Sequence, residues 1–98
     1  MRVPGGELDL VVFRRRPQGP EVVFVEVKTR GRASHGAPWE AVTADKRRRI
    51  ARAAALFLQR HRVKNAAVRF DVVGITWPDG PAEPTVERFE HAFDAPLG

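Results

Sequence analysis

From Glu7 to Arg14 the chain reads ELDLVVFR, with Leu8, Leu10 and Val12 falling to one side and Asp9, Val11 and Phe13 to the other. That period of two predicts a strand. A second strand is predicted over 22–29, and the short link RRPQGP makes an antiparallel hairpin the natural pairing. After the polar stretch RGRASHGAP the period changes: Ile50, Ala53, Ala54, Phe57 and Leu58 recur at i, i+3, i+4, i+7 and i+8. They draw one apolar stripe on a helix predicted over 44–62, with Thr43 as its N-cap and Asp45 in its first turn. A third strand is predicted over 68–77, then a PDGP turn, then a fourth strand in PTVERFEHAF with an irregular end. The order ββαββ describes an α/β domain, a mixed β-sheet with one long covering helix.

In the second strand, Val22, Phe24, Glu26 and Lys28 share one face while Val23, Val25 and Val27 share the other. A carboxylate and an ammonium therefore stand beside two large apolar side chains. A buried charge is costly unless it is paired or holds a metal. On spacing alone the two also fit a surface i, i+2 ion pair of little worth to stability. One helix covers one face of a sheet, so Val11, Phe13, Val22 and Phe24 are expected to need cover on the second. That implies a chain incomplete at its N-terminus or paired with a partner subunit.

The 98 residues suit a single domain with a modest core, and 43% hydrophobic with 30% charged residues is a globular balance. Absence of cysteine excludes a disulfide framework and a thiolate metal site. No apolar run approaches the roughly 20 residues of a membrane span, and MRVPGGELDL has no signal-peptide core. A soluble, cytoplasmic protein with no membrane partner is expected. Lys and Arg total 17 against 12 acidic residues, a net charge of +5 that favours a polyanionic partner, nucleic acid first.

If residues 17–20 close the hairpin, Asp9 lies opposite the segment from Glu26 to Thr29, and two carboxylates and Lys28 converge at one end of the sheet. Such oxygen donors suit Mg²⁺ or Mn²⁺, which take one or two carboxylates together with waters and substrate phosphate. Lys46, four residues before Ile50, should face the sheet, or else snorkel outward at the helix end. Lys46, Arg47, Arg48 and Arg49 crowd the positive end of a helix dipole, at about 0.3–1 kcal/mol each when unscreened. A phosphate backbone or the carboxylate cluster would relieve that conflict. A solvated face offset by Glu40 and Asp45 is the alternative, and Arg30 and Arg32 extend the same basic surface. His35, His61 and His91 have no zinc spacing; His35 reads as a loop histidine, Asp71 as a hydrogen-bond or ion-pair residue, and Trp39 and Trp77 as core or interface residues.

An Asp followed by Glu-x-Lys on the next strand resembles the PD-(D/E)XK nuclease core. More narrowly, GELDLVVF, VFVEVKTR, PWEAVTADKRRRI and VRFDVV, with EHAF near the end, resemble the YraN-like family of predicted endonucleases related to archaeal Holliday-junction resolvases, over residues 6–93. This resemblance implies a restriction-endonuclease-like core, a single nuclease-like domain over 1–98, and Mg²⁺- or Mn²⁺-dependent hydrolysis of phosphodiester bonds in DNA, branched or Holliday-junction DNA included. It implies Asp9, Glu26 and Lys28 as the catalytic set. Asp9, Glu26 and the Val27 carbonyl would hold the metal, Lys28 would orient the attacking water, and Arg30, Arg32, Lys46, Arg47, Arg48 and Arg49 would contact nucleic acid. Glu7 is either a second acidic participant or a solvated strand-edge residue. Members of that family begin with a helix and a strand before GELDL. Here only MRVPG precedes it, so those elements are expected to be missing and a homodimer to cover the open sheet face. Two other readings stand beside this one: a catalytically inactive nucleic-acid-binding domain on the same core, and an interaction domain in which Glu26 and Lys28 merely pair.

Overall fold

In the computed structural model, which describes residues 8–31 and 42–94, the two alternating segments form the expected hairpin. Strand β1 (Leu10–Arg16) pairs antiparallel with β2 (Gly19–Gly31), in a register that sets Leu10 opposite Val25 and Arg16 opposite Gly19. Gly19 takes a φ of +128° where the chain re-enters the sheet, a conformation that side-chain-bearing residues rarely adopt. Helix α1 (Ala44–Arg60) carries the chain to β3 (Ala67–Trp77), which pairs parallel with β2. A parallel pair needs such a crossover. Strand β4 (Thr85–Phe93) returns antiparallel on β3, giving one sheet in the order β1-β2-β3-β4. Among the described residues no helix is long and apolar enough to cross a membrane.

Thr43 caps α1, its hydroxyl accepting from the Lys46 N–H at 3.2 Å. The helix stops at Arg60, two residues before the predicted end, because Arg62 turns left-handed at φ 53°. Its N–H donates to the Gln59 carbonyl at 3.2 Å and that of Val63 to Leu58 at 2.9 Å, the paired bonds of a Schellman motif. Val63 and Leu58 both pack against the core.

That core lies between α1 and one face of the sheet. Ile50, Ala53, Ala54 and Phe57 of the helix meet Val22, Phe24, Phe70, Val72 and Phe93, with Leu8 and Val42 at its margin. Phe24 stacks on Phe70 at 5.5 Å and Phe70 on Phe93 at 5.1 Å, while Phe57 meets the edge of Phe24 at 5.8 Å. Here the sequence expectation is corrected. Val11, Phe13, Val22 and Phe24 share the face beneath α1, so they supply no ground for a partner on the second face. Leu8 is also turned into this core, away from Leu10, because the chain bends at Asp9 and β1 begins only at Leu10. Trp77 is exposed and does not belong to the core.

The opposite face buries Val23 and Val25 beside a charged group. Asp71, at 0% exposure, accepts from Arg69 at 2.8 and 2.9 Å, from Arg88 at 3.2 and 3.3 Å, and from the His91 N–H at 3.0 Å. This is the ion-pair role expected of it. The β3–β4 register shifts at this point: Phe70 pairs with Phe93 but Val72 with Phe89, and His91 sits at φ 51°. Asp71 thus holds the bulge that gives β4 its irregular end.

Candidate functional site

Strand β1 ends its pairing at Leu10–Val25, and β2 continues past it to Gly31. Where the ladder stops, a side chain replaces it: Asp9 Oδ2 accepts from the Val27 N–H at 2.9 Å. Because the N–H and C=O of one strand residue point to the same edge, the Val27 carbonyl faces the Asp9 side. Glu26 precedes it and points to the other set of neighbours, under α1. Leu8, Phe24, Ile50 and Phe93 surround its approach, and only 6% of Glu26 is exposed.

Two ammoniums answer that buried carboxylate. Lys46, in the first turn of α1, places Nζ 2.8 Å from Glu26 Oε1, and Lys28, two residues along β2, places Nζ 3.5 Å from the same oxygen. Lys46 therefore faces the sheet, as its place on the apolar stripe predicted, and its partner is Glu26. That pairing was missed in the sequence, because the stripe fixes the face of the helix but not the strand residue beneath it.

The lysines differ in how they hold their protons. A hydrogen bond shared with Lys46 lowers the proton affinity of the Lys28 amine, and burial and the Lys46 charge push the same way, outweighing the pull of Glu26. For Lys46, the hydrogen bond to Glu26 raises it, helped by Lys28 and by the charges of Glu26 and Asp9 against the cost of burial. One lysine is fixed as a cation and its neighbour gives up a proton more readily. With Asp9 and Glu26 they place two negative and two positive groups at the end of the hairpin.

The other basic candidates scatter. Arg47 turns inward, donating from Nε to the Val42 carbonyl at 3.0 Å with its guanidinium 5.3 Å from the Phe93 ring centroid. Arg48 and Arg49 project outward beside Asp45, at 3.5 and 3.3 Å, with side chains 67% and 51% exposed. Arg30 Nε donates to Thr76 Oγ1 at 3.2 Å near the far end of β2. Glu7, Arg32, His35, Trp39 and Glu40 lie outside the described residues. Among those described, no three His, Asp or Glu side chains gather as a metal-binding group. The oxygen donors at the site are two carboxylates and a main-chain carbonyl, a set that fits an ion retaining several waters better than a closed protein cage.

Residues 1–75 match the profile of UPF0102, described as an uncharacterised protein family. A UPF0102 protein of Rhodopirellula baltica is 44% identical over 91 residues, which cover 92% of this chain and 53% of that relative. One from Syntrophotalea carbinolica is 46% identical over 94 residues, 96% of this chain and 72% of the relative. A third, from Pelobacter propionicus, is 43% identical over 93 residues and 64% of its own length. The chain thus spans from about half to under three quarters of these relatives. The profile match contains Asp9, Glu26, Lys28 and Lys46.

Proposed function

This chain belongs to UPF0102, an uncharacterised protein family, and on that footing we propose that it is a metal-dependent endonuclease hydrolysing phosphodiester bonds in DNA, branched DNA included. The observation that carries the reading is that Asp9 takes the Val27 N–H where β1 stops pairing with β2, next to Glu26, whose one oxygen takes both Lys28 and Lys46. An Asp beside a Glu-x-Lys strand, on a mixed sheet covered by one helix, supports reading the fold as a restriction-endonuclease-like core.

Asp9, Glu26 and the Val27 carbonyl would hold Mg²⁺ or Mn²⁺, which when bound makes a water nucleophilic at neutral pH and offsets charge building on the phosphate. The rest is work for the chain's own groups. Lys28, which holds its proton less tightly than Lys46, orients the attacking water. Lys46 stays charged and offers its ammonium to a non-bridging phosphate oxygen. Exposed Arg48 and Arg49, with Arg30 and Arg32, contact the flanking backbone, and Arg47 steadies the helix start against Phe93.

The test is cleavage of labelled four-way-junction, flap and linear duplex DNA with Mg²⁺ or Mn²⁺, comparing the chain with Glu26→Ala and Lys28→Ala. Metal-dependent cutting lost in both variants is the expected result, with thermal unfolding reporting that each still folds. Absence of cutting by the unsubstituted chain, with salt-sensitive DNA binding that survives both substitutions, would instead make this a non-catalytic nucleic-acid-binding domain.

A further inference from the structure

Away from the carboxylates, at the tip of the β1–β2 hairpin, lies an open groove of about 550 Å³ lined by Phe13, Arg14, Arg15, Arg16, Pro20 and Glu21 among others. Its volume is within the roughly 300–1,000 Å³ typical of small-ligand sites. Phe13 rests against Phe57 at 6.0 Å between ring centroids, yet it is 59% exposed. The ring is braced by the core and still open to solvent. Arg15 shares its face of the strand, since Phe13 and Arg15 pair with Val22 and Pro20.

Arg14 and Arg16 take the other face and meet Glu21 at 3.5 and 3.3 Å, and Arg69 approaches the same carboxylate at 3.7 Å. These separations exceed the ~2.7–2.9 Å of a strong charge-assisted hydrogen bond. Glu21 Oε1 is buried without a hydrogen-bond partner among the described residues, in contrast to Asp71, which Arg69 holds at 2.8 and 2.9 Å. Arg14 and Arg16 are therefore drawn to Glu21 without being saturated by it. Three guanidiniums surround one carboxylate, and the hairpin tip stays positive.

An aromatic face open to solvent beside guanidinium forks is the chemistry that stacks a base and holds the adjoining phosphates. A duplex buries the faces of its bases, and a lipid headgroup would use the charge but leave the ring idle. We propose that the hairpin groove binds unpaired nucleotides of a single strand, with a base on Phe13 and the flanking phosphates on Arg15 and its neighbours. This deepens the nuclease reading, on which it rests for its consequence. Five residue steps along β2 lead from Glu21 to Glu26, roughly 17 Å at about 3.3 Å per residue, so a substrate carrying an unpaired strand next to its cleavage point would be held at both ends of the hairpin.

The experiment is fluorescence anisotropy in EDTA, with a labelled 12-nucleotide oligo-dT and a duplex of equal length, on the full chain and on Phe13→Ala, Phe13→Trp, Arg15→Ala and Glu26→Gln. Phe13→Ala should weaken single-strand binding on the order of tenfold, by the scale of one lost base–aromatic stack, with duplex binding changed less than about twofold. Phe13→Trp should restore it, Arg15→Ala should weaken it several-fold, and Glu26→Gln should leave the Phe13 effect in place. Wild-type affinity in Phe13→Ala, equal binding of oligo-dT and duplex, or no oligo-dT binding at all would overturn the proposal. Because metal is absent, a failed cleavage assay with a preserved Phe13 effect would sink the nuclease reading and leave the groove standing.

Discussion

Glu26 shows how much a single residue asks of its neighbours. Buried to 6% exposure, it is offset by Lys46 at 2.8 Å and more weakly by Lys28 at 3.5 Å. Removing one partner of a largely buried pair leaves an uncompensated charge, whereas removing both removes the conflict. Lys46→Met should therefore destabilise the chain by about 1–3 kcal/mol, a figure below the buried-pair range because the Lys46 side chain keeps some solvent. Glu26→Gln together with Lys46→Met should cost less than the sum of the single changes. Urea unfolding of the four proteins measures the coupling, and additive losses would mean that the 2.8 Å contact contributes nothing. The placing of Asp9 opposite the Glu26–Thr29 segment was legible in the sequence, because strand alternation and a short hairpin link set that register, as the Asp9 bond to the Val27 N–H shows. Lys46 was only half legible: helical period set its direction, but its partner depends on how the crossover lays α1 over β2.

At the scale of elements, order and type were legible, while the choice of face was not. Alternation divides a strand into two sets of residues without saying which set lies beneath the helix, and for Val11, Phe13, Val22 and Phe24 that choice had to come from packing. The irregular end of β4 was foreseen, but not its cause, since Asp71 and His91 are far apart in sequence. Burial alone would raise the Asp71 carboxyl pKa; hydrogen bonds from Arg69, His91 and Arg88 outweigh it and hold the carboxyl below its usual value. A depressed folded pKa stabilises the protein above the unfolded value of 3.8, and that contribution is lost as pH falls below it toward the folded value. Asp71→Asn should cost about 3 kcal/mol at pH 7, by analogy with broken buried ion pairs. Its deficit relative to the unsubstituted chain should shrink below about pH 4, where the unfolded carboxyl takes up a proton that the native one does not. Unfolding midpoints from pH 3 to 7 test this, and a gap constant across that range would assign the loss to packing.

For the whole molecule the sequence supplied a net charge of +5, but a total says nothing about which charges are already spent. Arg69 and Arg88 are committed to Asp71, and Arg47 to Phe93 and Val42. Arg48 and Arg49 stand outward at the helix start beside the exposed Asp45. An exposed pair of this kind contributes little to stability, so Arg48→Ala with Arg49→Ala should shift unfolding by no more than about 0.5 kcal/mol. Their absence should be felt by duplex DNA. Each phosphate contact contributes about 0.9 to the slope of log affinity against log salt, so the double substitution should flatten that slope by about 2 for duplex. A slope unchanged from the parent chain would mean that the helix start, despite its crowd of cations, does not touch the backbone. It would also remove the reason for reading those like charges at the positive end of α1 as a conflict that a substrate phosphate relieves.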